Sequence, residues 1–196
     1  IFTKIRAKRA KEIVESKGFH VPSVNEMLKV PAFKNEIRKR IDKVRKLHYY
    51  MSHRHNWRRI KRRVIHNQYW ERVLDLCDVI KEFDIKEKSI SKESIRELFD
   101  ANHFESYKYE SYTDKGSNRA GWFKELIEKY EAFKRGFYHN AIFCFTVSSE
   151  YEPTMEEMYS INEIFGLYDD SYRLNWDINY DESLGNRMRM TVISYE

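Results

Sequence analysis

The first apolar positions along the chain, Ile5, Ile13 and Val14, are scattered among basic residues and predict a short helix over residues 1–17 that Gly18 ends. Residues 19–24 read as extended, because the residue before Pro22 avoids the helical region. Ser23 can cap a short helix over residues 24–29, with Glu26 three positions later completing a capping box. Pro31 opens the next helix, in which Phe33, Ile37, Ile41, Val44 and Leu47 recur at helical spacing and Lys and Arg fill the opposite face. Residues 52–56 predict a break. A long helix follows over residues 57–83 with the stripe Trp57, Ile60, Val64, Tyr69, Val73, Leu76 and Ile80. Ser91 caps a further helix that runs to Ala101 and carries Ile95, Leu98 and Phe99.

The grammar then changes. Residues 102–117 are polar and aromatic without a clear period, and Lys115, Gly116 and Ser117 read as a turn. A helix is predicted over 120–134, closed by Gly136. Residues 141–147 form an apolar run of the length of a buried strand. Pro153 and Thr154 open a helix with Met155, Met158, Ile161 and Phe165 on its core face and Gly166 at its end. Residues 173–180 and 187–195 alternate as strands, joined by a turn over 181–186. The fold class expected is therefore α+β: a basic helical N-terminal arm followed by a small mixed-sheet α/β domain. The arm is expected to be extended, and residues 64–196 to close a core without it.

Charge sharpens that division. Residues 1–63 hold 20 Lys and Arg against 5 Asp and Glu, net +15, whereas residues 64–196 are net −10. The long helix carries the change, from Arg58 to Arg63 at one end to Asp75, Asp78 and Glu82 at the other. The chain divides on this reading into a basic arm (1–63), a helical linker region (64–139) and a small α/β domain (140–196). A segment this basic repels itself unless something offsets the charge, which points to an anionic partner.

Other classes find little support. Cys77 and Cys144 are the only cysteines, too few for a disulfide framework, which favours a reducing compartment. No run approaches the ~18 apolar residues of a membrane span, so no membrane partner is expected. The sequence starts at Ile1 rather than Met, which fits a removed organellar presequence or a leader outside this stretch. His48, His53, His55 and His66 invite a metal reading, but no cysteine lies near them and the local field is positive, so neither metal nor cofactor is expected. The pairs Glu156–Glu157 and Asp169–Asp170 point apart on a helix or turn and read as ordinary surface charge rather than a catalytic dyad. No G-x-S-x-G and no phosphate-binding loop is present. No catalytic residue is expected.

The densest chemistry lies between Tyr49 and Arg63, where aromatic and basic residues interleave. Guanidinium groups hold phosphate in a bidentate fork, and aromatic rings stack on exposed bases. The candidate RNA-binding residues are Arg38, Arg40, Arg45, Tyr49, His53, Arg54 and His55, followed by Trp57, Arg58, Arg59, Lys61, Arg62 and Arg63. The competing reading is an amphipathic helix docked on acidic protein.

Downstream, Asp181-Glu182-Ser183-Leu184-Gly185-Asn186-Arg187 runs into Met188-Arg189-Met190-Thr191-Val192-Ile193. This stretch resembles the hairpin of the C-terminal domain of the FtsZ family, the prokaryotic relatives of tubulin. The family's pattern there is D-x-x-L-G-D followed by alternating hydrophobic and Arg positions into T-V-I, with Asn186 here in place of the last Asp. The resemblance covers residues 140–195 and implies a mixed-sheet domain. It does not imply GTP hydrolysis, because the chain has 6 glycines and no G-G-G-T-G run.

The function expected is that of a non-catalytic, structural RNA-binding subunit of a large ribonucleoprotein, an organellar (mitochondrial) ribosome in the mitochondrial matrix. Its partners would be rRNA and other protein subunits. The alternative is an interaction protein that engages an FtsZ- or tubulin-like polymer. A third reading, a nuclease or nucleotide-transfer accessory domain, lacks an identifiable carboxylate site.

Overall fold

The computed structural model describes residues 2–49, 57–83, 90–111, 118–129 and 138–196, and nothing is said of side chains 48 and 49. The break at 52–56, the turn at 115–117 and the closing Gly136 lie outside the described residues. The chain forms two units, Ile1–Glu82 with Ile95–Asn102, and Phe83–Ser94 with His103–Glu196.

The first unit is helical. It comprises α1 (Phe2–Ser16), α2 (Val24–Met27), α3 (Pro31–Tyr49), α4 (Trp57–Ile80) and the body of α5 (Lys92–Asp100). Small residues set its packing. Ala7, Ala10 and Val14 lie buried along one face of α1, where they let it approach α4 closely. Of the apolar residues that suggested this helix, Val14 is buried, whereas Ile5 is 59% and Ile13 38% exposed. Large side chains are the easier signal to read, and here alanines hold the interface.

Gly18, at φ 87°, stops α1 in a left-handed turn. Its N–H donates to the Glu15 carbonyl at 2.9 Å, and the Phe19 N–H to that of Val14 at 3.4 Å. Phe19 and Val14 are both buried, supplying the apolar contact that accompanies such a stop. The capping box at α2 forms as expected. The Glu26 N–H donates to Ser23 Oγ at 3.3 Å, and the Ser23 N–H to Glu26 Oε2 at 2.7 Å.

Tyr69, Val73, Leu76, Cys77 and Ile80 of α4 are buried, as are Phe33 and Ile37 of α3. The arm is thus helical but not extended, because it closes its own core around the second half of α4. The charge boundary at 63/64 falls inside α4, which runs across it unbroken.

The second unit is built on a four-stranded mixed sheet, in the order β1 (Phe104–Glu110), β4 (Arg189–Tyr195), β2 (Asn140–Val147) and β3 (Arg173–Tyr180). β2 and β3 are parallel and joined through α7 (Met155–Phe165), whereas β4 runs antiparallel to both β1 and β2. β2 is central and buried over almost its whole length. α6 (Arg119–Lys129) and α7 lie side by side. Phe123, Phe143, Phe145, Ile161, Ile164 and Val192 centre the core. The architecture is the expected mixed α+β fold.

Three details depart from the sequence reading. β1 arises from residues read as irregular, because Phe104, Tyr107 and Tyr109 are spaced by polar residues too exposed to give a clean alternation. β3 and β4 do not pair as a hairpin, since β2 lies between them. The chain turns at residues 182–184 and Gly185, then crosses to the far side of β2. Met155 is 87% exposed rather than on the core face of α7. It is the first residue after the Thr154 cap, and the buried positions are Glu157, Ser160, Ile161 and Ile164.

Candidate nucleic-acid interface

Every Lys and Arg of α3, and of α4 from Trp57 to Arg63, is exposed. Phe33 and Ile37 of α3 turn inward and leave the other face to cations, whereas Leu47 and Trp57, read as part of the apolar stripes, are exposed because the buried contacts end before them. α3 needs Phe33 and Ile37 for the core, so Lys34, Arg38, Lys39, Lys43, Arg45 and Lys46 are displaced to the surface. α4 is buried mainly from Gln68 onwards, so its first turns are bare.

Some of this charge is neutralised within the unit. Arg40 Nη2 donates to Glu71 Oε2 at 3.4 Å, and Arg6 Nη2 to Asp78 Oδ2 at 3.1 Å. Arg72 is buried and holds the end of α5, donating to the Phe99 carbonyl at 3.2 Å and also to that of Ala101. Its Nη1 lies 3.8 Å from Glu36 Oε2, and Glu36 also accepts from Gln68 Nε2. Burial works to lower the Arg72 pKa, opposed by Glu36 and by two further carboxylates, Asp100 and Asp75. Among the described residues, Arg38, Arg45, Arg58, Lys61, Arg62 and Arg63 have no carboxylate partner.

The candidate residues divide by location. Arg38, Arg45, Trp57 and Lys61 converge on one groove of about 550 Å³ between α3 and the start of α4. Arg63 lies in a separate recess with Lys4, His66, Asn67 and Trp70, where Lys4 Nζ stands 5.9 Å from the centre of the Trp70 ring. Arg58, Arg59 and Arg62 are exposed elsewhere on α4. Arg40 lines the opposite flank of α3, beside Lys43 and Leu47. Tyr49 closes α3, and its side chain, with all of His53, Arg54 and His55, lies outside the described residues.

Sequence reading missed Lys34, which lines the same groove. The signal was present, because Lys34, Arg38 and Arg45 share one face at i, i+4 and i+11. It missed Lys4 because the ring beside it, Trp70, comes from the distant α4.

The second unit offers different chemistry. Arg119 and Glu157 are 6% and 2% exposed. Arg119 Nε donates to Glu157 Oε1 at 2.6 Å and Nη2 to Oε2 at 2.7 Å. Nη1 donates to the Asn186 carbonyl at 3.2 Å, and the second Nη2 hydrogen is shared between the carbonyls of Tyr151 at 3.1 Å and Glu152 at 3.3 Å. Burial works to raise the Glu157 carboxyl, but Arg119 and the N–H groups of Thr154 and Arg119 outweigh it and hold the carboxyl below its usual value. Both groups are fully occupied with structure. Burial also pushes the Cys77 thiol up to about 12, so it stays protonated at neutral pH. Among the described residues, no three His, Cys, Asp or Glu side chains gather to hold a metal ion. No helix among them is long and apolar enough to cross a membrane.

No family model matches the chain, and no curated protein matches it. Solved structures similar to it include an empty FtsZ dimer from M. jannaschii, with 13% identity and a TM-score of 0.45 over 77% of this chain and 43% of that one. A tryptophan-to-tyrosine mutant of FtsZ from the same organism shows 13% identity and a TM-score of 0.47 over 77% of this chain and 44% of that one. The chain spans less than half the length of these FtsZ proteins.

Proposed function

We propose that the chain is a non-catalytic, structural RNA-binding subunit of a large ribonucleoprotein, with an organellar (mitochondrial) ribosome as the particle and the mitochondrial matrix as its location. The observation that carries this reading is the cationic surface of the helical unit. Every base on α3 and on the first turns of α4 faces outward, and Arg38, Arg45, Arg58, Lys61, Arg62 and Arg63 lack a carboxylate partner among the described residues. Folding places these charges together at a cost in self-repulsion, and a polyanion relieves it. Phosphate contacts of this kind release condensed counterions, so affinity falls steeply with salt.

The test is a titration of structured RNA with the full chain between about 50 and 200 mM salt. Roughly six phosphate contacts lose on the order of a thousandfold in affinity across that range. Absence of binding at the low end sinks the proposal. The D-x-x-L-G motif at Asp181–Gly185 favours a second reading, in which the chain engages an FtsZ-like polymer. Co-sedimentation with assembled polymer tests it.

A further inference from the structure

We infer that the recess between α1 and α4 binds one phosphate group, which the RNA backbone supplies on the RNA-binding reading above. The source of the phosphate rests on that reading; the site itself rests on its lining.

One face of α4 carries Arg63, His66, Asn67 and Trp70, at i, i+3, i+4 and i+7. The first three stand within about 6 Å along the helix axis, at 1.5 Å per residue. The neighbouring α1 supplies Thr3 and Lys4, and together these side chains line a recess of about 340 Å³. Every polar group in this lining but one can donate: a guanidinium, an imidazole N–H, an amide, a hydroxyl and an ammonium. The exception is Glu71, whose Oε2 accepts from Arg40 Nη2 at 3.4 Å, so its charge is already met by a cation. The side chains of Arg63, His66 and Asn67 have no hydrogen-bond or ion-pair partner among the described residues. Trp70 is committed: its ring packs edge-on against Tyr69, with centroids 4.9 Å apart, and Lys4 Nζ stands over it at 5.9 Å from its centre. The indole thus holds the ammonium at the recess rather than offering a surface to a ligand.

Lys4 and Arg63 set the sign of the ligand, because both repel a cation. The shape of the donor set then selects among anions. A tetrahedral phosphate turns oxygens in several directions, so donors delivered by two helices are all used, whereas a carboxylate presents two oxygens in one plane. Lys4, Arg63, His66 and Asn67 are exposed, so the recess is open on its outer side. A backbone phosphate can therefore enter while the strand it belongs to runs past. Arg63 is the centre of the site, since its fork holds two phosphate oxygens at once.

The test uses the full chain, a labelled structured RNA and inorganic phosphate. Arg63→Gln removes the fork and its charge, and Arg63→Lys keeps the charge without the fork. Lys29→Gln removes one exposed charge from the turn after α2, outside the recess. Arg63 is exposed and unpaired among the described residues, so neither of its variants should change the melting temperature. For Arg63→Gln the expected result is a loss of about tenfold in RNA affinity and a salt slope smaller by about one. Arg63→Lys should lose less affinity and keep the slope, and Lys29→Gln should stay close to the parent in both. Inorganic phosphate, followed through the ring signals of His66 by NMR, should bind the parent but not Arg63→Gln. RNA binding that ignores Arg63, or that Lys29→Gln weakens equally, overturns the site and leaves the RNA-binding reading standing. If no RNA binds at low salt, the RNA-binding reading falls; an Arg63-dependent response of His66 to phosphate then assigns the recess to free phosphate, and no response overturns the site as well. Arg63-dependent binding of a poly-glutamate peptide without any phosphate response assigns the recess to protein carboxylates and overturns the inference.

Discussion

Replacing Arg119 with Met should destabilise the second unit more than any other single change of similar size. The guanidinium joins three parts of that unit: α7 through Glu157, the turn before α7 through the Tyr151 and Glu152 carbonyls, and the β3–β4 connection through the Asn186 carbonyl. Met fills the stem volume but removes every donor. Glu157 would then be a carboxylate, 2% exposed, with only the N–H groups of Arg119 and Thr154, each at 3.0 Å, to hold it. Breaking one side of a buried pair costs about 3–5 kcal/mol. In a chain of this length that lowers the melting temperature by roughly 6–20 °C.

The assay is thermal unfolding of Arg119→Met, Glu157→Gln and the double variant. Their non-additivity gives a coupling energy, expected at about 2 kcal/mol. pH supplies a second check. In the parent, Glu157 lies below its unfolded value, so its contribution is present above the unfolded pKa and is lost as pH falls through the folded one. In Arg119→Met, only the two backbone N–H groups still oppose burial, so the Glu157 carboxyl rises relative to the parent and the folded state of the variant binds a proton more readily as pH falls. The gap between parent and variant should therefore narrow as pH falls from 7 towards 4.5. A variant melting within a degree of the parent, or a gap that widens in acid, refutes the reasoning.

Two further outcomes follow from the packing. Ala7→Leu inserts bulk into the face of α1 that meets α4, where Ala7 is fully buried, and should cost about 1–3 kcal/mol by chemical denaturation; no loss would mean that α1 does not form the core of the first unit. Gly185→Ala, at φ 55° and ψ −127°, meets no atom within 4 Å, so its cost is backbone strain alone, about 1–3 kcal/mol in the same assay, and an unchanged midpoint would refute that origin.

The sequence was readable where a local rule decides the outcome. Gly18, the Ser23–Glu26 box and Thr154 each fix a helix end through hydrogen bonds within a few residues, and each sits where the pattern placed it. It was unreadable where the deciding contact is distant. Residues 104–110 became a strand because β4 offers an edge, with Tyr107 opposite Val192 and Tyr109 opposite Met190. No local feature of that stretch announces a partner more than eighty residues away. The same holds for Glu157, which looked like surface charge beside Glu156 until Arg119 arrived from α6. Of the candidate interface, the cations were legible, but their division among a groove, a recess and open helix surface depends on how α3 meets α4.

The basic segment shows most clearly why composition misleads about shape. A net charge of +15 over residues 1–63 suggested a chain that cannot bury itself. Charge, however, costs most where it must be desolvated, and in this unit almost none of it is. The buried faces of α1 and α3 carry Ala7, Ala10, Val14, Phe33 and Ile37, while their cations stay in water. Among the described residues, the one deeply buried cation of the unit, Arg72, belongs to α4 and is met by carbonyl oxygens and Glu36. Carboxylates at the acidic end of α4, Glu71 and Asp78, reach back to Arg40 and Arg6. The sign change along α4, which looked like a boundary between an arm and a domain, falls inside the helical unit. Buried apolar residues of the second half of the helix hold α1 and α3, those exposed ion pairs add little, and the basic half adds its charge to theirs on the surface left exposed.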